Sequence, residues 1–208
     1  MLTRFTLSLA LLLASPVMAQ DQTAPAMTEV VMQTSRGPIT IALETDRAPV
    51  TAGNFLAYVD AGKFDGTVFY RAMRLEWGEQ PNGLIQGGTQ NDPDRLLPPV
   101  AHERTSDTGV LHGTGAISMA RLAPGTATGD FSIMVSPQPG LDADPASDDP
   151  DRREGYAAFG HVTAGMDVVR QIFDAPLDPD KGEGWLKGQM LAEPVRIISV
   201  DRVSPQED

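Results

Sequence analysis

Two residues on neighbouring apolar runs offer the clearest chemistry. Arg71 closes the run Phe69-Tyr70-Arg71, and Gln86 sits inside Leu84-Ile85-Gln86-Gly87-Gly88. A guanidinium in such a run is costly to bury unless something uses its charge. The spacing puts both residues on adjacent expected strands, where a cation and an amide can share one face. Such a pair suits a non-covalent site with polar and apolar parts. The same arginine could instead pair with an acid or carry its head outward along an apolar surface.

The conventional catalytic sets are missing. The chain has no Cys and three histidines, His102, His112 and His161. The H-E-x-x-H and G-x-S-x-G signatures do not occur, so zinc hydrolysis and nucleophile-elbow hydrolysis lack their motifs. His102-Glu103 with His112 has no spacing that fixes a tetrahedral metal site. Gly87-Gly88 leads into Thr-Gln-Asn rather than Lys-Ser/Thr, so it is no phosphate loop. Asp-Pro-Asp followed by a base recurs at 92–95, 149–152 and 178–181. Calcium loops alternate acids but need more ligands and a distal Glu, so these read as Asp-Pro turns.

The elements that must position Arg71 and Gln86 follow from periodicity. Val30 to Met32 and Ile39 to Leu43 read as strands joined by a Gly-Pro turn. Pro49 opens a helix with Val50, Phe55, Leu56 and Val59 on one face. Thr67 to Arg71 and Leu84 to Gln86 are strands separated by the loop 74–83, which carries Trp77. Ala116 to Met119, Phe131 to Val135, Tyr156 to Val162 and Val195 to Val203 complete the strand set. A second helix after Gly165 shows Met166, Val169, Ile172 and Phe173 on one side. Leu141 to Gly155 is an acidic exposed insertion, and 174–193 reads as a Gly- and Pro-rich loop. About eight strands and two helices fit a mainly β fold: an eight-stranded antiparallel closed barrel capped by two α-helices.

Composition narrows the setting. The 208 residues suffice for one sizeable core, and 16 Lys+Arg against 28 Asp+Glu give a net charge of -12. An acidic chain with no basic cluster is not expected to bind nucleic acid. Residues 1–19 have the build of a cleaved signal peptide: Arg4, an apolar run from Leu7 to Ala14, and Val17-Met18-Ala19 before Gln20. That run is too short to span a bilayer. Residues 20–28 then form a polar leader, and 29–204 the folded domain. The expected address is periplasmic or secreted, without membrane attachment after cleavage. With no Cys, stability rests on burial and hydrogen bonding alone.

The ordered motifs give the chain its resemblance. Arg36-Gly37-Pro38-Ile39, Ala48 to Phe55, Val68-Phe69-Tyr70-Arg71, Ile85 to Gly88, Gly115 to Arg121 and Tyr156 to Gly160 occur in one register from about Val30 to Val203. Together they resemble the cyclophilin-type peptidyl-prolyl cis-trans isomerases, of the exported bacterial sort. The resemblance implies a barrel with two capping helices, proline-containing polypeptides as substrates, no metal or cofactor, and a chain acting as a monomer. It implies that Arg71 is catalytic, with Gln86 holding the substrate backbone or orienting Arg71. The implied substrate-binding set is Leu84, Met119, Ala120, Asp130, Ser132, Leu141 and Tyr156.

Some family positions differ. Leu84 stands where Met is usual, and Gly83 and Ser132 stand where Phe is usual. Asp130 replaces a Gln, Gly140 an aromatic residue, and Tyr156 a His, as in many bacterial members. The loop 74–83 exceeds the usual turn, so Trp77 is expected to fold over the pocket and replace the lost rings. These losses raise a second reading, a catalytically weak peptide-binding or chaperone module on the same barrel. A third, a small-ligand carrier, is disfavoured by the ordered motifs.

Overall fold

The computed structural model describes residues 25–203. The expected signal peptide, residues 1–19, lies outside the described residues, as does most of the leader. Nine strands appear among the described residues. They are β1 (Thr28–Thr34), β2 (Gly37–Leu43), β3 (Val68–Arg74), β4 (Gly83–Gly88), β5 (Ala116–Met119), β6 (Asp130–Met134), β7 (Ala158–Ala164), β8 (Leu177–Asp178) and β9 (Met190–Arg202). Their order is β1-β2-β7-β5-β6-β4-β3-β9-β8, and β1 also pairs with β9. Eight of them therefore close an antiparallel barrel, and the two-residue β8 is a short hairpin arm on β9.

The helices are α1 (Pro49–Asp60), α2 (Thr105–Thr108), α3 (Pro150–Glu154) and α4 (Met166–Phe173). Pro49 sits in the first turn of α1, where its missing N–H has no helical partner to lose. α1 plugs one end of the barrel. Its Phe55 ring packs 5.4 Å edge-on to Phe131 and 5.4 Å from Phe159. α4 covers the other side with Val168, Val169, Ile172 and Phe173 buried. The two longer helices and eight barrel strands match the expected architecture. α2 and α3 fall inside segments that read as loops, being too short to show a 3.6-residue period.

The three Asp-Pro-Asp segments are turns of one kind. Asp92, Asp149 and Asp178 each accept, on Oδ1, the N–H two residues on, at 3.1, 2.9 and 3.0 Å. This is the local bond that makes Asp a turn former. At Asp149 the same bond caps α3.

β9 starts at Met190, earlier than the sequence pattern suggests. Opposite β3, Arg71 pairs with Met190 and Phe69 with Val195. One β3 residue, Tyr70, thus faces four on β9, and Pro194 lies in that irregularity. A proline reads as a strand breaker, but where the ladder is already interrupted its missing N–H costs nothing.

Candidate active site

The site is built on a bulge. Phe69 pairs with Gly87 and Arg71 with Gln86, so Tyr70 is the extra residue on β3. In a regular strand Phe69 and Arg71, two residues apart, would share a face, and the bulge breaks that alternation. With the bulge, Phe69 and Ala72 both enter the barrel core, and Arg71 turns to the outer surface.

From Arg71 a single row of register partners crosses the sheet. Arg71 faces Gln86, Gln86 faces Ser132, Ser132 faces Ser118, and Ser118 faces Ala158. Partners directly opposite share a face. The polar row Arg71-Gln86-Ser132-Ser118 therefore lies along the outside of four strands, while the alternate residues Ile85, Ile117 and Ile133 fill the core.

Arg71 is held by amides and by no acid. Gln86 Oε1 accepts from Nη1 at 2.7 Å. Gln189 Oε1 accepts from both Nε and Nη2, at 2.9 and 2.6 Å. The Trp185 ring lies 4.6 Å from Arg71 Cζ. Arg71 is only 5% exposed, and among the described residues no carboxylate forms an ion pair with it. Burial pulls its pKa down, yet an arginine stays protonated at neutral pH. The site thus keeps an uncompensated, oriented positive charge in a dry setting, where it acts over a shorter effective dielectric than in water.

Next to this row lies a packed apolar cluster. Leu84, Ala116 and Met134 form a buried cluster, and Met73 and Leu141 pack against it. Met73 pairs with Leu84, and Leu84 with Met134, so three strands contribute one side chain each. Met134 is fully buried and shares the outer face of β6 with Ser132, two residues before it. Alternation along β6 points to this residue, although it was not among the expected site residues.

Behind the cluster a buried histidine ties two loops to the sheet. His112 Nδ1 lies 2.7 Å from Asp142 Oδ1, and Nε2 lies 2.8 Å from Ser118 Oγ. The Asp142 carboxylate can only accept from Nδ1–H, so Nε2 accepts the Ser118 hydroxyl proton. Burial lowers the His112 pKa, with Asp142 pulling the other way. Ser118 and His112 are both buried, so this Ser-His-Asp chain has no exposed nucleophile and serves to hold structure. His102 takes no part; its Nε2 lies 2.9 Å from the Glu154 carbonyl oxygen.

The remaining expected residues are placed as follows. Asp130 is buried beside Tyr70, and its Oδ1 accepts the Gln90 N–H at 2.8 Å. Ala120 is half-buried and donates its N–H to the Asp130 carbonyl at 2.9 Å. Tyr156 is half-buried, with Arg121 Cζ 4.7 Å from its ring. Leu141 caps the cluster and receives the Tyr156 N–H at 2.8 Å, closing the acidic insertion at its base. Met119 departs from expectation: it packs in the barrel core with Ile117, because alternation along β5 turns Ser118, not Met119, outward.

Trp77 also departs from expectation. It is 68% exposed on the loop between β3 and β4, and the indole on Arg71 belongs to Trp185. Trp185 and Gln189 were hidden in a segment that reads as a plain loop. Their only signal was an amide and an indole spaced four apart among glycines. Gly83 is locked as glycine by its backbone: at φ +145°, a Cβ would lie 1.9 Å from the Met73 carbonyl oxygen.

An eight-stranded barrel with an arginine, a glutamine and an adjoining apolar cluster on its outer wall is the arrangement of a cyclophilin. Residues 29–202 match the family described as cyclophilin type peptidyl-prolyl cis-trans isomerase/CLD. The chain belongs to that family. A peptidyl-prolyl cis-trans isomerase of Acinetobacter baylyi is 34% identical over 181 residues, covering 85% of this chain and 86% of its own. Peptidyl-prolyl cis-trans isomerase A of Dickeya dadantii is 37% identical over 154 residues, 72% of this chain and 73% of its own. The crystal structure of a Cryptosporidium parvum cyclophilin type isomerase, determined in the presence of the dipeptide Ala-Pro, superposes with a TM-score of 0.65. It has 21% identity and covers 85% of this chain and 99% of its own.

Proposed function

We propose that Arg71 carries prolyl isomerisation in this chain, with Gln86 and Gln189 aiming it and the partly exposed Met73 and Leu141, backed by the Leu84 and Met134 cluster, contacting the proline ring. The protein is a peptidyl-prolyl cis-trans isomerase, and its difficulty is amide resonance, which sets a barrier of roughly 18–20 kcal/mol. Twisting the X–Pro bond localises a lone pair on the prolyl nitrogen. A guanidinium N–H donated there stabilises the twisted state more than the planar one. Arg71 has five N–H donors, and the three bonds to Gln86 and Gln189 leave two for substrate. The isolated positive charge of Arg71 is the observation that carries this reading.

The non-catalytic alternative is not favoured. It rested on the missing Phe residues, but Met73 and Leu141 keep an apolar surface over the Leu84 and Met134 cluster. The test is NMR exchange on an X–Pro peptide. Arg71→Ala should lower kcat/KM by about 10²–10³, the usual loss for one preorganised donor. Equal acceleration by both proteins would remove Arg71 from the mechanism.

The proposed setting is the folding of proline-containing polypeptides outside the cytoplasm. The signal-like residues 1–19 and the absence of Cys support it. Among the described residues no helix is long and apolar enough to cross a membrane. Cell fractionation with mass measurement of the mature N-terminus tests this; an intact Met1 on a cytoplasmic protein would refute it.

A further inference from the structure

We infer that Trp185 is the aromatic wall of the peptide site and gives the enzyme a preference for an aromatic residue adjoining the proline. The inference rests on the isomerase reading above. The barrel strands supply one ring beside the site, Tyr70, which is engaged with Gln86 and Asp130; Ser132 is small, and Gly83 cannot take a side chain. The ring stacked directly on the Arg71 guanidinium comes from the segment before β9.

Trp185 is both anchored and open. Its ring lies against the Arg71 guanidinium, yet the residue is 72% exposed. The segment holding it is braced. Gly184–Leu186 is a single 3-10 turn. Gln189 Nε2 donates to the Trp185 carbonyl at 2.8 Å, and the Gln189 carbonyl receives the Ala72 N–H at 3.0 Å. The Gly188 N–H reaches the Lys181 carbonyl at 2.9 Å. Gly182, at φ +89°, allows the close approach, since a Cβ there would meet the Leu186 carbonyl oxygen at 2.4 Å. An indole stacked on a cation through one face leaves its other face as a flat apolar surface beside Arg71 for a ligand to cover. Gln189 also joins the Trp185 backbone to the Arg71 side chain, so ring and guanidinium keep one relative position.

The chemistry of the free face selects the neighbour. A cation on one face of an indole draws its negative potential away from the other. The exposed face is thereby a poor partner for Lys or Arg, and Arg71 behind it repels them further. A neutral aromatic side chain stacks there instead.

The test compares three peptides by NMR exchange: Ala-Ala-Pro-Ala, Ala-Phe-Pro-Ala and Ala-Ala-Pro-Phe. The wild type should prefer a Phe-bearing peptide by roughly ten-fold, the scale of one stacked aromatic pair. In Trp185→Ala that ratio should fall to about one, and Trp185→Phe should restore most of it. An unchanged ratio in Trp185→Ala overturns the proposal. In a Trp77→Phe background Trp185 is the sole Trp, because the chain has two. Its emission should shift saturably as the preferred peptide is added, and no shift overturns the wall. A saturable shift without any wild-type acceleration would instead refute the isomerase reading and leave the wall standing.

Discussion

Gln189 bridges Nε and Nη2 of Arg71 with one amide oxygen, at 2.9 and 2.6 Å, from 118 residues further along the chain. Gln86 holds the opposite end of the guanidinium through Nη1. Two neutral acceptors therefore orient the charge without cancelling it. An acid in either place would orient it equally well and neutralise it.

Replacing Gln189 should accordingly separate orientation from charge. Gln189→Ala should lower kcat by about ten- to a hundred-fold, the scale of a misaimed catalytic group, with KM changed much less. Gln189→Glu keeps the acceptor but forms an ion pair, so kcat should fall again although Arg71 stays in place. If both variants lose only thermal stability and keep kcat, Gln189 is a structural bond alone.

Gly83 should tolerate no side chain. Gly83→Ala forces a Cβ onto the Met73 carbonyl at a φ that L-residues avoid. Strain of this kind costs on the order of 1–3 kcal/mol before the clash is counted. The urea midpoint should drop accordingly, and restoring the family's Phe here should fail to give folded protein.

His112 should give stability a pH dependence near neutrality. Its folded pKa is depressed by burial, while the unfolded ring titrates near about 6.5. The neutral ring's contribution is thus present above pH ~6.5. It is lost as pH falls below that value toward the folded pKa, where it levels off. One proton gives a slope of at most about 1.4 kcal/mol per pH unit. Urea midpoints from pH 8 to 5 should fall more for the wild type than for His112→Gln. Parallel curves would show that His112 does not carry the effect.

Asp130 works in the other direction. Burial raises its carboxyl, while the Gln90 and Asn91 N–H groups oppose that shift. A charged Asp130 therefore weakens the fold at neutral pH. Asp130→Asn keeps an oxygen for the Gln90 N–H and removes the desolvated charge. Its urea midpoint should exceed wild type at pH 8, and the gain should shrink as the wild-type carboxyl becomes protonated at acid pH. A loss at pH 8 would show that the ionised form is needed.

Much of the barrel was legible because burial imposes a period of two. The strands of β2, β5, β6 and β7 announce themselves through Ile, Val and Phe runs. Arg71 and Gln86 stood out as polar residues within such runs. Trp185 and Gln189 did not, because nothing local shows that a glycine-rich segment folds back on β3. That contact depends on the long-range pairing of Met190 with Arg71. Met119 was misplaced for a simpler reason. Motif matching names a stretch, while only strand alternation decides which of its residues turns outward.

The last strand has a consequence for when the enzyme begins to work. β9 joins β3 to β1 and so completes the ring of strands, and Gln189 directly precedes it. The chain must be made at least as far as Gln189 before the guanidinium is held from both sides. Until then the nascent protein, with 17 prolines of its own, folds unaided by its own chemistry. A truncation that spares every residue up to Asp178 lacks both Gln189 and β9 and should therefore be silent.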